Sequence, residues 1–122
     1  MFDHISLRVG DLAKSRTFYL AALAPLGIGL VVDLPGSAAF GQAGRARFWL
    51  GRDGQNSAGV HVAFAALDRA AVRAFYNAAV GAGGTDNGAP GLRPRYHADY
   101  YGAFVLDPDG HNAEAVCRNH ED

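Results

Sequence analysis

The sequence predicts an α+β fold built from two βαβββ modules in one chain, and three observations lead there. The first half of the chain recurs in the second after a shift of 57 positions, from His4 to His61. Each repeat opens with apolar residues at period two and continues with a helical pattern. Sixteen glycines in 122 residues suit the many tight reversals of a meandering sheet.

Under the shift, His4 falls on His61, Asp11 on Asp68, Ala13 on Ala70 and Arg16 on Arg73. Phe18, Tyr19, Ala21, Ala22 and Gly27 fall on Phe75, Tyr76, Ala78, Ala79 and Gly84. These nine identities lie within the 24 positions from 4 to 27, where average usage gives roughly two. Self-similarity on this scale marks a duplicated unit.

Taken in order, Asp3 to Val9 alternates, with Ile5, Leu7 and Val9 on one face and His4, Ser6 and Arg8 on the other. Asp11 stands at an N-cap position, its carboxylate able to accept free amide donors of the helix that follows. Leu12, Phe18, Tyr19, Ala22 and Leu23 give that helix an uneven apolar side, and Pro25 and Gly27 stop it. Ile28 to Asp33, Ala38 to Gly41 and Arg45 to Leu50 read as strands separated by Pro-Gly and Ala-Gly turns. Residues 51–59, rich in Gly, Asn and Ser, form the expected linker between module 1 (1–50) and module 2 (60–122).

The second module starts with Val60 to Ala66, where His61 faces away from Val60, Val62 and Phe64. Asp68 is its N-cap; Val72, Phe75, Tyr76, Ala79 and Val80 follow helical spacing, and the glycines from 81 to 84 end the helix. A short strand is expected around Thr85, and Asn87 to Asp99 is expected as a long loop without counterpart in module 1. Tyr100 to Asp107 and Asn112 to Arg118 are the last strands. Between them Pro108 fixes φ at one corner of a turn and Gly110 is free to take a positive φ.

At 122 residues, 49% hydrophobic and 19% charged, the chain has the size and composition of one ordinary globular domain. A net charge of −1 gives no electrostatic case for a nucleic acid or a polybasic membrane partner. The apolar run from Leu20 to Val32 is interrupted by Pro25, Gly27 and Gly29, so no transmembrane helix is expected. No signal peptide is expected at Met1-Phe2-Asp3-His4. Cys117 is alone, which suits a reducing, cytoplasmic compartment, and its apolar strand reads as a buried site for a structural thiol.

Glu114 poses the chemical question, because a carboxylate inside an apolar strand is costly to bury without a partner. A helix covers one face of each module's sheet, which leaves His4, His61 and Glu114 as candidates for the opposite, free face. Two imidazoles and one carboxylate make a facial triad for a divalent metal, with coordination positions left open. Zn, Fe, Mn, Ni and Co all suit those donors. The alternative is a metal-free polar network inherited with the repeat. His97, in Arg95-Tyr96-His97-Ala98-Asp99-Tyr100-Tyr101, is a candidate acid or base, as is Tyr101. Arg93, Tyr96, Tyr100 and Trp49 are candidate substrate contacts, whereas His111, in the turn, reads as exposed and His120, in the polar tail, as without a role.

These residues resemble the vicinal oxygen chelate superfamily, which includes glyoxalase I, fosfomycin resistance proteins, extradiol dioxygenases and bleomycin-resistance proteins. The likeness spans nearly the whole chain. It is carried by His4, by His61, and by Asp107-Pro108-Asp109-Gly110 with Glu114 four residues after the glycine. It implies mixed sheets curved around a cavity with helices outside, a small-molecule substrate with adjacent oxygens, and a homodimer. His4, His61 and Glu114 match three of the family's four ligand positions. Aligning Gly44-Arg45-Ala46-Arg47-Phe48 on Gly110-His111-Asn112-Ala113-Glu114 sets Phe48, which cannot ligate, at the fourth. Phe104 stands where the dioxygenase signature has a tyrosine. The resemblance therefore implies a divalent-metal-dependent lyase or isomerase ahead of a ring-cleaving dioxygenase. A drug- or metabolite-sequestering, bleomycin-resistance-like protein without turnover is the alternative.

Overall fold

A computed structural model describes residues 1–52 and 59–122. The first module runs β1 (Ile5–Val9), α1 (Leu12–Leu23), a 3-10 turn (Ala24–Leu26), β2 (Gly29–Leu34), β3 (Ser37–Gln42) and β4 (Arg45–Arg52). The second runs β5 (His61–Ala65), α2 (Arg69–Gly81), β6 (Thr85–Leu92), β7 (Tyr101–Leu106) and β8 (Asn112–Cys117). The two sheets have the same order, β1-β4-β3-β2 and β5-β8-β7-β6. In each, the strand before the helix pairs in parallel with the last strand, and the other neighbours are antiparallel. Neither sheet closes on itself, and the βαβββ repeat is present as expected.

Local chemistry sets the element ends. The carboxylates of Asp11 and Asp68 accept from the amides of Lys14 (3.1 Å) and Ala71 (2.8 Å), so both caps are made. Glu121 adds a second acceptor at the start of α2, taking the Arg69 amide at 2.8 Å. The uneven patterning of α1 has a cause: Ser15 is fully buried on its inner side. Ala43 and Gly44, with φ of 53° and 72°, make the two-residue hairpin loop between β3 and β4, the geometry that fits strand twist.

Two boundaries differ from expectation. Of the expected linker, Gly51 and Arg52 belong to β4, and 53–58 lie outside the described residues. The expected loop from Asn87 is β-strand as far as Leu92. Its pairing with β7 is irregular between Asp86 and Gly91, and as an edge strand it can carry Pro90, which donates no ladder hydrogen bond.

One buried cluster draws on both modules, with Leu7, Phe18, Tyr19, Phe40, Phe48 and Leu50 from the first and Val62, Val72, Phe75, Val105 and Ala115 from the second. The Phe48 and Phe64 rings meet edge to face at 5.2 Å across the module boundary. Helices α1 and α2 cover the core faces of their sheets and touch each other.

The turn before β8 ties the modules together. Gly110 takes φ 85° and its amide bonds the Asp107 carbonyl at 2.9 Å. The Asp107 carboxylate, nearly buried, accepts from the amides of Asp109 and His111 and from the Tyr19 hydroxyl of α1 at 2.6 Å. Asp109 accepts from the Gly10 amide and the Ser15 hydroxyl of module 1. His111 is not exposed, as the sequence suggested, but buried at 1%. Its Nδ1 accepts from the Val60 amide and its Nε2 faces the Arg8 carbonyl, both at 3.4 Å. His120 also has a partner, the Asp99 carboxylate at 2.8 Å, and this pair raises the imidazole's affinity for its proton.

Tyr19→Phe removes the one side-chain donor seen on buried Asp107. We expect a loss of about 1–3 kcal/mol in urea unfolding. A variant within about 0.5 kcal/mol of wild type would show that this bond does not hold the turn to α1.

Candidate functional site

The free face of the second sheet carries the site, and strand alternation decides which residues reach it. In β8, Ala113, Ala115 and Cys117 turn to the core, so Glu114 turns the other way. In β7, Ala103 and Val105 are core residues, which puts Gly102 and Phe104 on the face of Glu114. Phe104 is directly opposite Glu114 in the ladder. His61 opens β5, and its ring reaches the same face from the other side of β8.

Glu114 is 1% exposed, and both of its oxygens are engaged. His61 Nε2 lies 2.8 Å from Oε1, and the Tyr100 hydroxyl donates to Oε2. The imidazole is half exposed, so the pair joins a buried carboxylate to an accessible ring. Gly102 makes the arrangement possible, because a Cβ there would come within 3.1 Å of the Tyr100 ring and 3.3 Å of Glu114 Oε2. Burial first, then the hydrogen bond to Glu114 and its charge, push the Tyr100 phenol up to about 12; the Arg118 guanidinium pulls the other way.

Around this pair is a recess of about 320 Å³ lined by His61, Tyr96, Tyr100, Phe104, Glu114 and Arg118. The Tyr96 and Tyr100 rings meet edge to face at 5.1 Å, and Phe104 is 6.2 Å from the His61 ring. Arg118 lies over the Tyr100 ring at 4.9 Å.

The remaining candidates fall elsewhere. His4 is exposed, one residue before β1, and pairs with Asp3 at 2.8 Å. Among the described residues of one chain no group of three His, Cys, Asp or Glu is arranged to hold a metal, so His4 is apart from His61 and Glu114. His97 is exposed, and its Nδ1 accepts from the Asp99 amide of its own loop at 3.1 Å. Tyr101 alternates to the α2 side, where Arg69 and Arg73 lie over its ring at 5.2 and 5.9 Å. Arg93 lies over Phe104 at 5.5 Å and donates to the Ala89 carbonyl.

The register also corrects the fourth-ligand position. Ser6 pairs with Trp49 where Ala63 pairs with Glu114, and Ala39 faces Trp49 where Phe104 faces Glu114. Trp49, not Phe48, is therefore the counterpart of Glu114, while Phe48 is a core residue matching Ala113. Indole is no more a metal ligand than phenyl, so the first module still lacks that carboxylate. Arg118 and Phe104 complete a recess in which the sequence reading gave them no part. Both lie four residues from a named candidate, Glu114 or Tyr100, an even spacing that keeps the same strand face.

The superfamily model described as glyoxalase/bleomycin resistance protein/dioxygenase matches residues 1–115. The chain belongs to this superfamily. A crystal structure of a glyoxalase/bleomycin resistance protein from Albidiferax ferrireducens T118 is 32% identical, with TM-score 0.84, over 98% of this chain and 99% of that one. A family enzyme from Burkholderia phytofirmans PsJN shares the fold at 15% identity and TM-score 0.74, over 96% and 98% of the two chains. The E144Q variant of maize (Zea mays) glyoxalase I is 27% identical with TM-score 0.73; the match covers 94% of this chain but 46% of the maize protein. No curated protein matches the chain. Superfamily proteins bind small molecules, and no helix among the described residues here is long and apolar enough to cross a membrane.

The phenol yields a pH prediction. Its folded value of about 12 lies above the ordinary 10, so its contribution to stability is complete below about pH 10 and lost as pH rises towards 12. We expect the unfolding free energy to fall across that window in wild type and to fall less in Tyr100→Phe. Tyrosinate absorbance should also show one phenol titrating earlier in Glu114→Gln. Identical profiles for wild type and both variants would disprove the coupling.

Proposed function

We propose that the chain is a divalent-metal-dependent, glyoxalase-like enzyme acting on a small molecule with adjacent oxygens, by lyase or isomerase chemistry rather than ring-cleaving oxygenation. The observation that carries the reading is the contact of accessible His61 with buried Glu114 at 2.8 Å, at the base of an open recess. Imidazole nitrogen and carboxylate oxygen are donors that Zn, Fe, Mn, Ni and Co accept. One chain supplies two of them together. We assign the third to His4 of a second copy in a homodimer, since His4 is the repeat counterpart of His61 and is exposed. The reducing interior of the cytoplasm suits the buried thiol of Cys117.

A metal held there would supply Lewis-acid stabilisation of an enolate-like or oxyanionic charge. The proton chemistry then falls to Tyr100 rather than to His97 or Tyr101, which lie outside the recess. Its hydroxyl keeps its proton at neutral pH, and it can turn its hydrogen bond from Glu114 to a substrate oxygen. Tyr96 and Phe104 narrow the access of water to that oxygen. Phe104 offers no phenol of its own, and this favours isomerase or lyase chemistry over ring cleavage.

A second reading, a protein that sequesters a drug or metabolite without turnover, draws on the aromatic lining and on the separation of His4 within one chain. Metal content of the purified protein decides between the two. Wild type is expected to hold stoichiometric divalent metal as a dimer, and Glu114→Ala and His61→Ala to lose most of it, roughly tenfold or more in affinity. Metal-free wild type, or equal metal in Glu114→Ala, would end the enzyme reading and leave sequestration.

A further inference from the structure

Three rings surround the recess, and each is backed by an arginine. Arg118 lies 4.9 Å from the centre of Tyr100, Arg95 4.9 Å from Tyr96 and Arg93 5.5 Å from Phe104. Arg93 also donates to the Ala89 carbonyl, and Arg95 to the Tyr96 hydroxyl at 3.2 Å. Arg118 makes no hydrogen bond or ion pair among the described residues, yet it lines the recess. The acids nearby are already engaged. Glu114 has a donor on each oxygen, and Asp99 faces His120 at 2.8 Å and Arg69 at 3.7 Å. Among the described residues, the Arg118 guanidinium thus lines the recess with neither of these acids turned to it, an electrostatic setting that attracts an anion.

Guanidinium pairs with a carboxylate through two parallel N–H···O bonds, which fixes the plane of its partner. Tyr96 and Tyr100, in edge-to-face contact at 5.1 Å, leave no gap between them and form one aromatic wall against which a flat body can stack, with Phe104 in the same lining. At about 320 Å³ the recess sits at the small end of the range for ligand pockets, enough for a single ring with its substituents.

We infer that the recess takes a small aryl carboxylate, or an equally flat organic anion, with its charge anchored on Arg118 and its ring against the wall that Tyr96 and Tyr100 form beside Phe104. This deepens the functional reading above and rests on that recess being the substrate site. Arg118 is a binding residue here and takes no part in bond making.

The test is calorimetric titration of the full chain as purified with three probes: benzoate, its neutral isostere benzamide, and the non-planar anion cyclohexanecarboxylate. Benzoate should bind saturably at about millimolar concentration or below, with each of the other two weaker by about tenfold, the cost of a lost charge-assisted pair or of poor ring packing. Arg118→Gln should weaken benzoate about tenfold and leave benzamide unchanged, with Arg118→Lys in between. No benzoate binding, equal binding of benzoate and benzamide, or an Arg118→Gln variant that binds benzoate like wild type would overturn the anchor. Cyclohexanecarboxylate binding as tightly as benzoate would overturn the aromatic requirement. Arg118 is exposed at the end of β8, and circular dichroism of the variants confirms that binding alone has changed. Metal content of the same preparations separates the two claims. Benzoate selectivity in metal-free protein leaves this inference standing without the enzyme reading, and stoichiometric metal without benzoate selectivity does the reverse.

Discussion

The burial of Glu114 is the constraint on which the site depends. A carboxylate enclosed by protein and flanked in its strand by alanines is costly unless each oxygen finds a donor. Here the donors come from opposite sides. His61 arrives from β5, the parallel neighbour, and Tyr100 from the start of β7, the antiparallel one. Only a strand with neighbours on both edges can be served in this way, so the order β5-β8-β7 is a chemical requirement as well as a topology. Gly102 completes it by leaving the space through which phenol and carboxylate meet. Burial first, and this contact with it, also hold the phenol in its protonated form.

The turn that leads into β8 has a second task. Asp107 and Asp109 are two residues apart, and both reach module 1, the first through Tyr19 and the second through Ser15 and the Gly10 amide. His111 adds a bridge between the Val60 amide and the Arg8 carbonyl, for which Nδ1 must be the acceptor and Nε2 must carry the hydrogen. The segment that aims Glu114 is thus also where the two modules are fastened by polar contacts. Position of the site and attachment of the repeats are one structural problem with one solution.

The repeat made most of this fold legible. Caps at Asp11 and Asp68, the period-two strands and the glycine stops are local signals, and each marks an element that the structure contains. What could not be read locally was pairing. A one-residue error in aligning two strands exchanges their faces, and that is the difference between Phe48 and Trp49 as the counterpart of Glu114. The choice between Tyr100 and Tyr101 turned on the same parity. His111 escaped for another reason: a histidine in a polar turn is ordinarily solvated, and only the approach of module 1 buries it. The edge strand β6 was hidden by Gly88, Pro90 and Gly91, residues that argue against a strand except at a sheet edge.

The two modules then differ in an informative way. At the equivalent cross-strand pair on the free face, module 1 has Ala39 opposite Trp49 and module 2 has Phe104 opposite Glu114. Each pair contains one large ring, but on the other strand. With the ring on β4, the last strand of module 1 presents indole where a ligand would stand. With the ring on β7, the last strand of module 2 is left free to carry a carboxylate, and the ring becomes a wall beside it. The duplicated sheets therefore keep a similar apolar bulk on their free faces while only one keeps the carboxylate. A site that needs donors from both free faces must combine the carboxylate face of module 2 with the histidine face of module 1. Within one chain His4 and His61 remain apart. The asymmetry of the repeat is thus a physical reason to look for the complete donor set between two copies rather than within one.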